Sequence, residues 1–323
     1  MSEESSSSQD RVWAIVLAGG DGFRLSDLVY RIHGDRRPKQ FASLLGARSL
    51  LRQTLDRVGT AIPPQRTLIV TRRGQESHLM PSLAGLPGAQ VLVQPENRGT
   101  AAAVLLAAQW VRAREPGAVV AVFPSDHFVG DEPRFMRHVE EVLGLVAVHP
   151  EWLVLLGAEA SGPDPDYGWV ERGATMSWTG EGGEPVSRVQ RFWEKPSSSA
   201  AAAGCLETGW LWNTFILVAR AALLCQVGSR YLPEMSLRLA RTADFRGTEL
   251  EGWALRQAYA HMRKASFSAA VLQMCPPCLV VSALPPVQWA DWGTTERVLA
   301  SLRKAGILPA WVSPMHLRDA PAS

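Results

Sequence analysis

No apolar run in this chain approaches the roughly 18 residues needed to cross a bilayer, so nothing in it reads as a membrane span. An excess of one charge sign is also missing: 33 Lys and Arg against 31 Asp and Glu leave a formal net charge of +2. No basic face is therefore available to argue for nucleic acid or an anionic membrane surface. Cysteine is rare, with four in 323 residues, which speaks against a disulfide scaffold and fits a reducing compartment. Two of the four form Cys275-Pro276-Pro277-Cys278. That spacing suits a redox pair or half a zinc site, but no second ligand pair accompanies it. The prolines fit a turn leading into the apolar run Leu279-Val280-Val281, so thiols in a turn are the default reading. Residues 1–10 are rich in Ser and Glu without a basic start or an apolar core. They read as a disordered tail and not a signal peptide, and the cytoplasm is the expected location. There is no Gly-x-Ser-x-Gly elbow of a serine hydrolase and no hexapeptide repeat of the kind that builds a β-helix.

What is present alternates. Short apolar runs of strand length at residues 12–17, 67–71, 90–93, 119–123 and 153–156 are separated by stretches of helical length at 49–58, 74–83, 101–114 and 133–148. Strand, helix and strand repeated in this way imply an α/β fold with a mostly parallel sheet and helices on both faces. Ligands in such sheets gather at the carboxyl ends of the strands. Residues 164–183 turn Gly-, Pro- and Trp-rich, which suggests a loop-and-strand insertion over the site. Beyond about residue 243 the pattern is helical, then returns to a strand near 279–282.

The first strand runs into Leu17-Ala18-Gly19-Gly20-Asp21-Gly22-Phe23-Arg24, with Arg37-Pro38-Lys39-Gln40-Phe41 following. Closely spaced glycines let backbone N–H groups approach an anion, and Arg24 and Lys39 add fixed positive charge nearby. The loop is not of the Walker type, since no Gly-Lys-Ser/Thr ends it. It is not the dinucleotide type either, because Leu25 stands where a third glycine belongs. The glycines alone would also suit a plain turn; the two cations point to a polyphosphate.

Gly19-Gly20-Asp21-Gly22-Phe23-Arg24-Leu25 with the later Pro38-Lys39-Gln40-Phe41 resembles the signature of sugar nucleotidylyltransferases, closest to the mannose-1-phosphate guanylyltransferase branch. The likeness continues in order through Gln94-Pro95-Glu96-Asn97-Arg98-Gly99-Thr100-Ala101, Pro124-Ser125-Asp126-His127, Tyr167-Gly168-Trp169-Val170, Glu194-Lys195-Pro196, Trp212-Asn213 and Trp289-Ala290-Asp291-Trp292-Gly293. It implies a Rossmann-like nucleotide-diphosphosugar transferase sheet with a small sugar-site insertion and no β-helix extension. The catalytic domain would span residues 11–245, and a C-terminal helical segment, 246–323, would return a strand and a metal-site aspartate to the core.

The implied reaction is magnesium-dependent transfer of a nucleotidyl group from a nucleoside triphosphate to a sugar 1-phosphate, with GTP and mannose 1-phosphate as the expected pair. Another hexose 1-phosphate, another triphosphate, or a non-catalytic nucleotide-sugar sensor on the same fold remain open. A homodimer is compatible with the sequence without being required by it. The transfer needs no protein nucleophile; it needs two repelling anions aligned and the leaving charge neutralised.

The resemblance makes Asp126 and Asp291 the Mg2+ ligands, which suits a hard ion that takes carboxylate and phosphate oxygens and water. Read alone, each aspartate would serve equally as a cap on the turn that follows it. Arg24 has the planar fork to clamp the β- and γ-phosphates, and Lys39 suits a point charge on the α-phosphate or leaving pyrophosphate. Gly20 and Gly22 belong to the phosphate loop. Lys195 is implied to meet the sugar phosphate, with Glu194, Asn213 and the backbone at Gly168 facing sugar hydroxyls. Gln94, Asn97, Gly99 and Thr100, with backbone at Ala18 and Gly19, are implied near the base. His127 is expected to be a structural neighbour of Asp126, since no deprotonation is required.

Several departures from the family pattern bear on the substrate. Ser26-Asp27-Leu28-Val29-Tyr30-Arg31 replaces the usual Trp-Pro-Leu-Ser-Arg segment and precedes a longer spacer, expected as a loop bordering the triphosphate. Ala102 replaces a proline, and Phe215 in Trp212-Asn213-Thr214-Phe215 stands where glycine is usual, near the sugar. Asp164-Pro165-Asp166 has the Asp-x-Asp spelling of a glycosyltransferase metal motif, but lies in a Pro-rich loop without a strand before it, and is left out of the expected site.

Overall fold

Val12–Leu17 (β1) is apolar on both faces, and both faces are covered. Trp13 and Ile15 pack into a cluster built on helix Thr100–Arg114, whereas Ala14 packs with Val139 and Val142 of helix Glu132–Val148. Each fully buried Ile, Val or Leu contributes about 1.5–3 kcal/mol relative to exposure, which favours burying this strand centrally. Helix Thr100–Arg114 is buried continuously from Ala101 to Val111 because it lies between the sheet and helix Ala221–Tyr231.

The computed structural model describes residues 11–179 and 183–312; the tail expected at residues 1–10 and the end of the 246–323 segment lie outside them. β2 (Thr67–Arg72), β3 (Gln90–Gln94) and β4 (Val119–Pro124) run parallel with β1. The other strands are β5 (Leu153–Glu159), β6 (Gly168–Trp178), β7 (Pro185–Glu194), β8 (Leu211–Arg220) and β9 (Leu279–Ala283). All belong to one sheet of order β3-β2-β1-β4-β8-β5-β9-β7-β6. β8 is antiparallel to both β4 and β5, while β9 runs parallel to β5. The start of β6 pairs back onto the start of β8, Trp169 opposite Trp212, so this half of the sheet curls round on itself. That closure carries the sugar-side motifs toward the nucleotide-side loops.

The loop expected over residues 26–37 is corrected: Ser26–His33 is an α-helix, closed by Gly34 in the left-handed region. Leu25, Leu28, Val29 and Ile32 recur at helical spacing and pack with Trp292, Val298 and Leu302, which gives this segment an apolar anchor.

Candidate active site

Two glutamines set the loop after β1. Gln40 Nε2 donates to the carbonyls of Ala18 (2.8 Å) and Gly20 (2.9 Å), and Gln75 Nε2 donates to Gly20 at 3.1 Å. Gly22 turns the chain at φ 63, and a Cβ there would lie 2.6 Å from the Lys39 backbone nitrogen. Only glycine lets this loop pack onto the Pro-Lys-Gln-Phe segment. Gly19, Gly20 and Arg24 line a cleft of about 510 Å³ at the carboxyl edge of β1 and β4. Ala18 and Gly22 do not line it, and the Ala18 N–H is spent on the Val70 carbonyl at 2.8 Å.

Asp126 follows β4 by two residues, and Asp291 arrives from the far end of the chain. A β-bridge between Phe128 and Ala290, bonded in both directions at 2.9 and 3.1 Å, ties the two segments together. The Lys39 ammonium sits between them, 3.1 Å from Asp126 Oδ2 and 2.5 Å from the Asp291 carbonyl. Lys39 is 5% exposed and does not line the cleft; it joins the two aspartate motifs from behind it.

Asp291 Oδ1 accepts from Tyr167 Oη (2.8 Å), Gly293 N (3.0 Å) and Arg297 Nη1 (3.1 Å). Burial alone would raise its pKa, but Arg297 foremost, with His127 and Lys39, holds it below the usual carboxylate range. Burial pushes His127 down to about 4 against the pull of Asp126, and its ring stands edge-on to Trp289 at 5.2 Å. His127 is therefore a neutral packing neighbour at neutral pH.

Arg297 is the residue that sequence reasoning missed. Its guanidinium meets Asp164 Oδ2 at 2.9 and 2.5 Å, Asp166 Oδ2 at 3.4 Å and both Asp291 oxygens, and stacks over the Tyr167 ring at 4.4 Å. Arg24 joins the same network, 3.1 Å from Asp166 and 3.8 Å from Asp291 Oδ2. Leaving Asp164-Pro165-Asp166 out of the site is thus corrected: Asp166 lines the cleft, and two arginines neutralise the pair. Sequence proximity to Asp291 was the one signal for Arg297, and it did not reveal the acidic loop.

Beside Gly19, Gln94 is buried, donating to the Thr71 carbonyl at 3.4 Å and accepting from Tyr259 Oη at 3.1 Å. Asn97 spans Asp21 (2.9 Å) and the Gly99 N–H (3.0 Å). Gly99 has φ 86, and a Cβ would fall 2.2 Å from the Ala265 carbonyl oxygen. This close approach docks residues 264–268 as a second wall, with Phe267 N donating to Thr100 Oγ1 at 2.9 Å and Lys264, Ser266 and Ser268 lining the cleft. No motif marked that wall in the sequence.

The sugar-side residues meet through strand register: Gly168 lies opposite Glu194, and Asn213 follows Trp212. Glu194 Oε2 is buried with no hydrogen-bond partner, and burial raises the Glu194 pKa against the opposing charge of Lys195. An orphaned acceptor in a cleft asks for a donor from a ligand. Lys195 is exposed and, among the described residues, makes no hydrogen bond or ion pair. Asn213 lines the cleft, but its amide is engaged: Nδ2 donates to Ser268 Oγ at 3.2 Å and Oδ1 accepts from Phe215 N at 2.9 Å. Lys195, Phe215 and Trp292 hold φ of 51, 58 and 49, a left-handed backbone that side chains rarely adopt and that recurs at functional sites.

A family model described as nucleotidyl transferase matches residues 13–302. The chain belongs to this family. Alginate biosynthesis protein AlgA of Pseudomonas aeruginosa is 30% identical over 264 residues, covering 81% of this chain and 50% of that protein. A mannose-1-phosphate guanylyltransferase of Sinorhizobium fredii is 29% identical over 88% of this chain and 53% of its own length. The chain thus spans about half the length of these curated relatives. Among solved structures, one described as mannose-1-phosphate geranyltransferase from Thermus thermophilus superposes with a TM-score of 0.76 at 28% identity, over 93% of this chain and 80% of that one. The superposition agrees with the α/β sheet described above.

The carboxylates suit a hard divalent cation. Among the described residues Asp126 Oδ1 accepts no hydrogen bond, and Asp291 Oδ2 contacts only guanidinium groups, at 3.2 Å from Arg297 and 3.8 Å from Arg24. No group of three or more His, Cys, Asp or Glu placed to hold a metal occurs among the described residues, so substrate oxygens would have to complete the shell. Cys275 and Cys278 are free thiols outside the cleft, and burial raises the pKa of each.

Proposed function

We propose that this protein transfers a nucleotidyl group from a nucleoside triphosphate to a sugar 1-phosphate, releasing pyrophosphate, with GTP and mannose 1-phosphate as the leading pair. The observation that carries this reading is the set of groups gathered in one cleft. Gln94 and Thr100, the charged trio Arg24, Asp126 and Asp291, and the orphaned Glu194 Oε2 with its neighbour Lys195 all line that one cleft. A sugar phosphate held by Lys195 would present an oxygen to the α-phosphorus in line with the leaving pyrophosphate; alignment and charge neutralisation then supply the acceleration. Arg24 would exchange Asp166 for the β- and γ-phosphates, a stronger bidentate partner for its fork. Asp126 and Asp291 would hold Mg2+, which neutralises charge on the phosphates when bound. Glu194 would accept a hydrogen bond from a sugar hydroxyl.

The test is pyrophosphate release across a grid of nucleoside triphosphates and hexose 1-phosphates, with magnesium and with chelator. Release from GTP dependent on mannose 1-phosphate supports the reading, and another productive pair moves the specificity while keeping the reaction. No release from any pair overturns it.

A further inference from the structure

β8 is broken where it enters the cleft. Its pairing with β5 slips between Leu156 and Gly157, whose partners are Ile216 and Asn213, so Thr214 and Phe215 bulge from the ladder. The bulge is locked from within: Thr214 Oγ1 donates to the Leu156 carbonyl at 2.6 Å and accepts from Ile216 N at 3.1 Å, while Asn213 Oδ1 takes the Phe215 N–H. Phe215 is held there at φ 58, a conformation glycine adopts freely and an aromatic residue rarely does. Nothing in the backbone calls for a phenylalanine. A bulge can re-aim a side chain, and Phe215 lines the same cleft as Gly168, Glu194 and Lys195. It is backed edge-on by the fully buried Phe267 at 6.4 Å, so it has little room to retreat.

We infer that Phe215 is a specificity-determining residue. Its ring narrows the sugar end so that hexose 1-phosphates carrying only hydroxyl groups are accepted and those carrying an acetamido group are excluded. The inference rests on the sugar 1-phosphate transfer proposed above. Glu194 Oε2 offers an unpaired acceptor to a sugar hydroxyl at this end. Pocket shape alone discriminates by about 10–200-fold per methylene-sized change.

The experiment compares the wild type with Phe215→Gly and Phe215→Leu, using mannose 1-phosphate and N-acetylglucosamine 1-phosphate with GTP and magnesium. Pyrophosphate release and calorimetric binding of each sugar phosphate are both measured. Glycine relieves the left-handed backbone, so misfolding does not stand in for the result. The preference for the hexose over the N-acetylhexosamine should fall about tenfold or more in Phe215→Gly, on the scale that pocket shape supplies, and largely survive in Phe215→Leu. Turnover with an unchanged preference in Phe215→Gly overturns the role of Phe215 and leaves the reaction standing. If none of the three proteins releases pyrophosphate, the reaction fails, and the ratio of the two calorimetric affinities decides: a ratio lower in Phe215→Gly upholds the steric role, and an equal ratio overturns it.

Discussion

Replacing Arg297 with methionine should expose how the acidic side of the cleft is held together. The guanidinium serves Asp164, Asp166 and Asp291, whose side chains are 28%, 48% and 17% exposed. Breaking a buried pair costs about 3–5 kcal/mol, but these carboxylates are partly solvated, so a loss of about 2–3 kcal/mol is expected at neutral pH. That corresponds to a fall in Tm on the order of 5 °C. The pH dependence gives the stricter test. Asp291 titrates below its unfolded value of about 3.9, so it contributes stability above that pH, and the contribution is lost as pH falls through the folded pKa. Without Arg297, burial becomes the dominant influence and raises the folded pKa above the unfolded one. Asp291 then costs stability at neutral pH, and the cost fades as the carboxyl protonates. The stability gap between wild type and Arg297→Met should be widest near pH 7 and shrink between about pH 5 and 3. Thermal unfolding followed by tryptophan fluorescence across that range measures it. A gap equally large at pH 7 and pH 4 would refute the electrostatic account and leave only lost packing on Tyr167.

Asp126→Ala should abolish magnesium-dependent pyrophosphate release and also lower Tm by a few degrees, because its ion pair among the described residues is with the buried Lys39 ammonium, which is left without a carboxylate; near-normal turnover would remove it from the metal assignment. Lys39→Met should cut turnover and also lower Tm by a few degrees, since the buried ammonium links two segments; a variant with normal kcat and Tm would count against the linking role. Lys195→Ala should raise the KM for sugar 1-phosphate at least about tenfold more than that for the triphosphate, the order expected for one charge-assisted contact; equal increases would show that Lys195 does not distinguish the two. Gly99→Ala should destabilise the protein and weaken nucleotide binding, because a Cβ would overlap the Ala265 carbonyl at 2.2 Å; unchanged affinity would mean that the 264–268 wall is not part of the site.

The parallel strands at the core were legible as apolar runs because strands covered on both faces leave an uninterrupted pattern. The 12–17 run coincides with β1, and helix Thr100–Arg114 begins one residue before its expected start. β6 and β7 were harder to see, since exposed residues and irregular register interrupt their alternation. Helix Ser26–His33 has a spelling that suits a loop, and only its apolar residues at 3–4 spacing mark it as a helix. Within the site, Gly19, Gly20, Arg24, Gln94, Asn97, Gly99, Thr100, Asp126, Gly168, Glu194, Lys195, Asn213 and Asp291 all line one cleft. Ala18, Gly22 and Lys39 stand behind it, a distinction that depends on which way each group packs and leaves no mark in a motif.

The sheet type and the order of the motifs follow from hydrophobic period and residue spacing alone, because both are local properties of the chain. Tertiary structure alone decided which charges neutralise one another. Lys39 meets Asp291 across 252 positions, and Arg297 meets Asp164 across 133. Both meetings depend on remote packing: the Phe128–Ala290 bridge draws the Asp126 and Asp291 segments together, and the curl of β6 onto β8 closes the sugar side. Local sequence can state that a carboxylate is present. Its partner is whichever cation the folded chain brings within a few ångströms, where reduced solvation makes the attraction count.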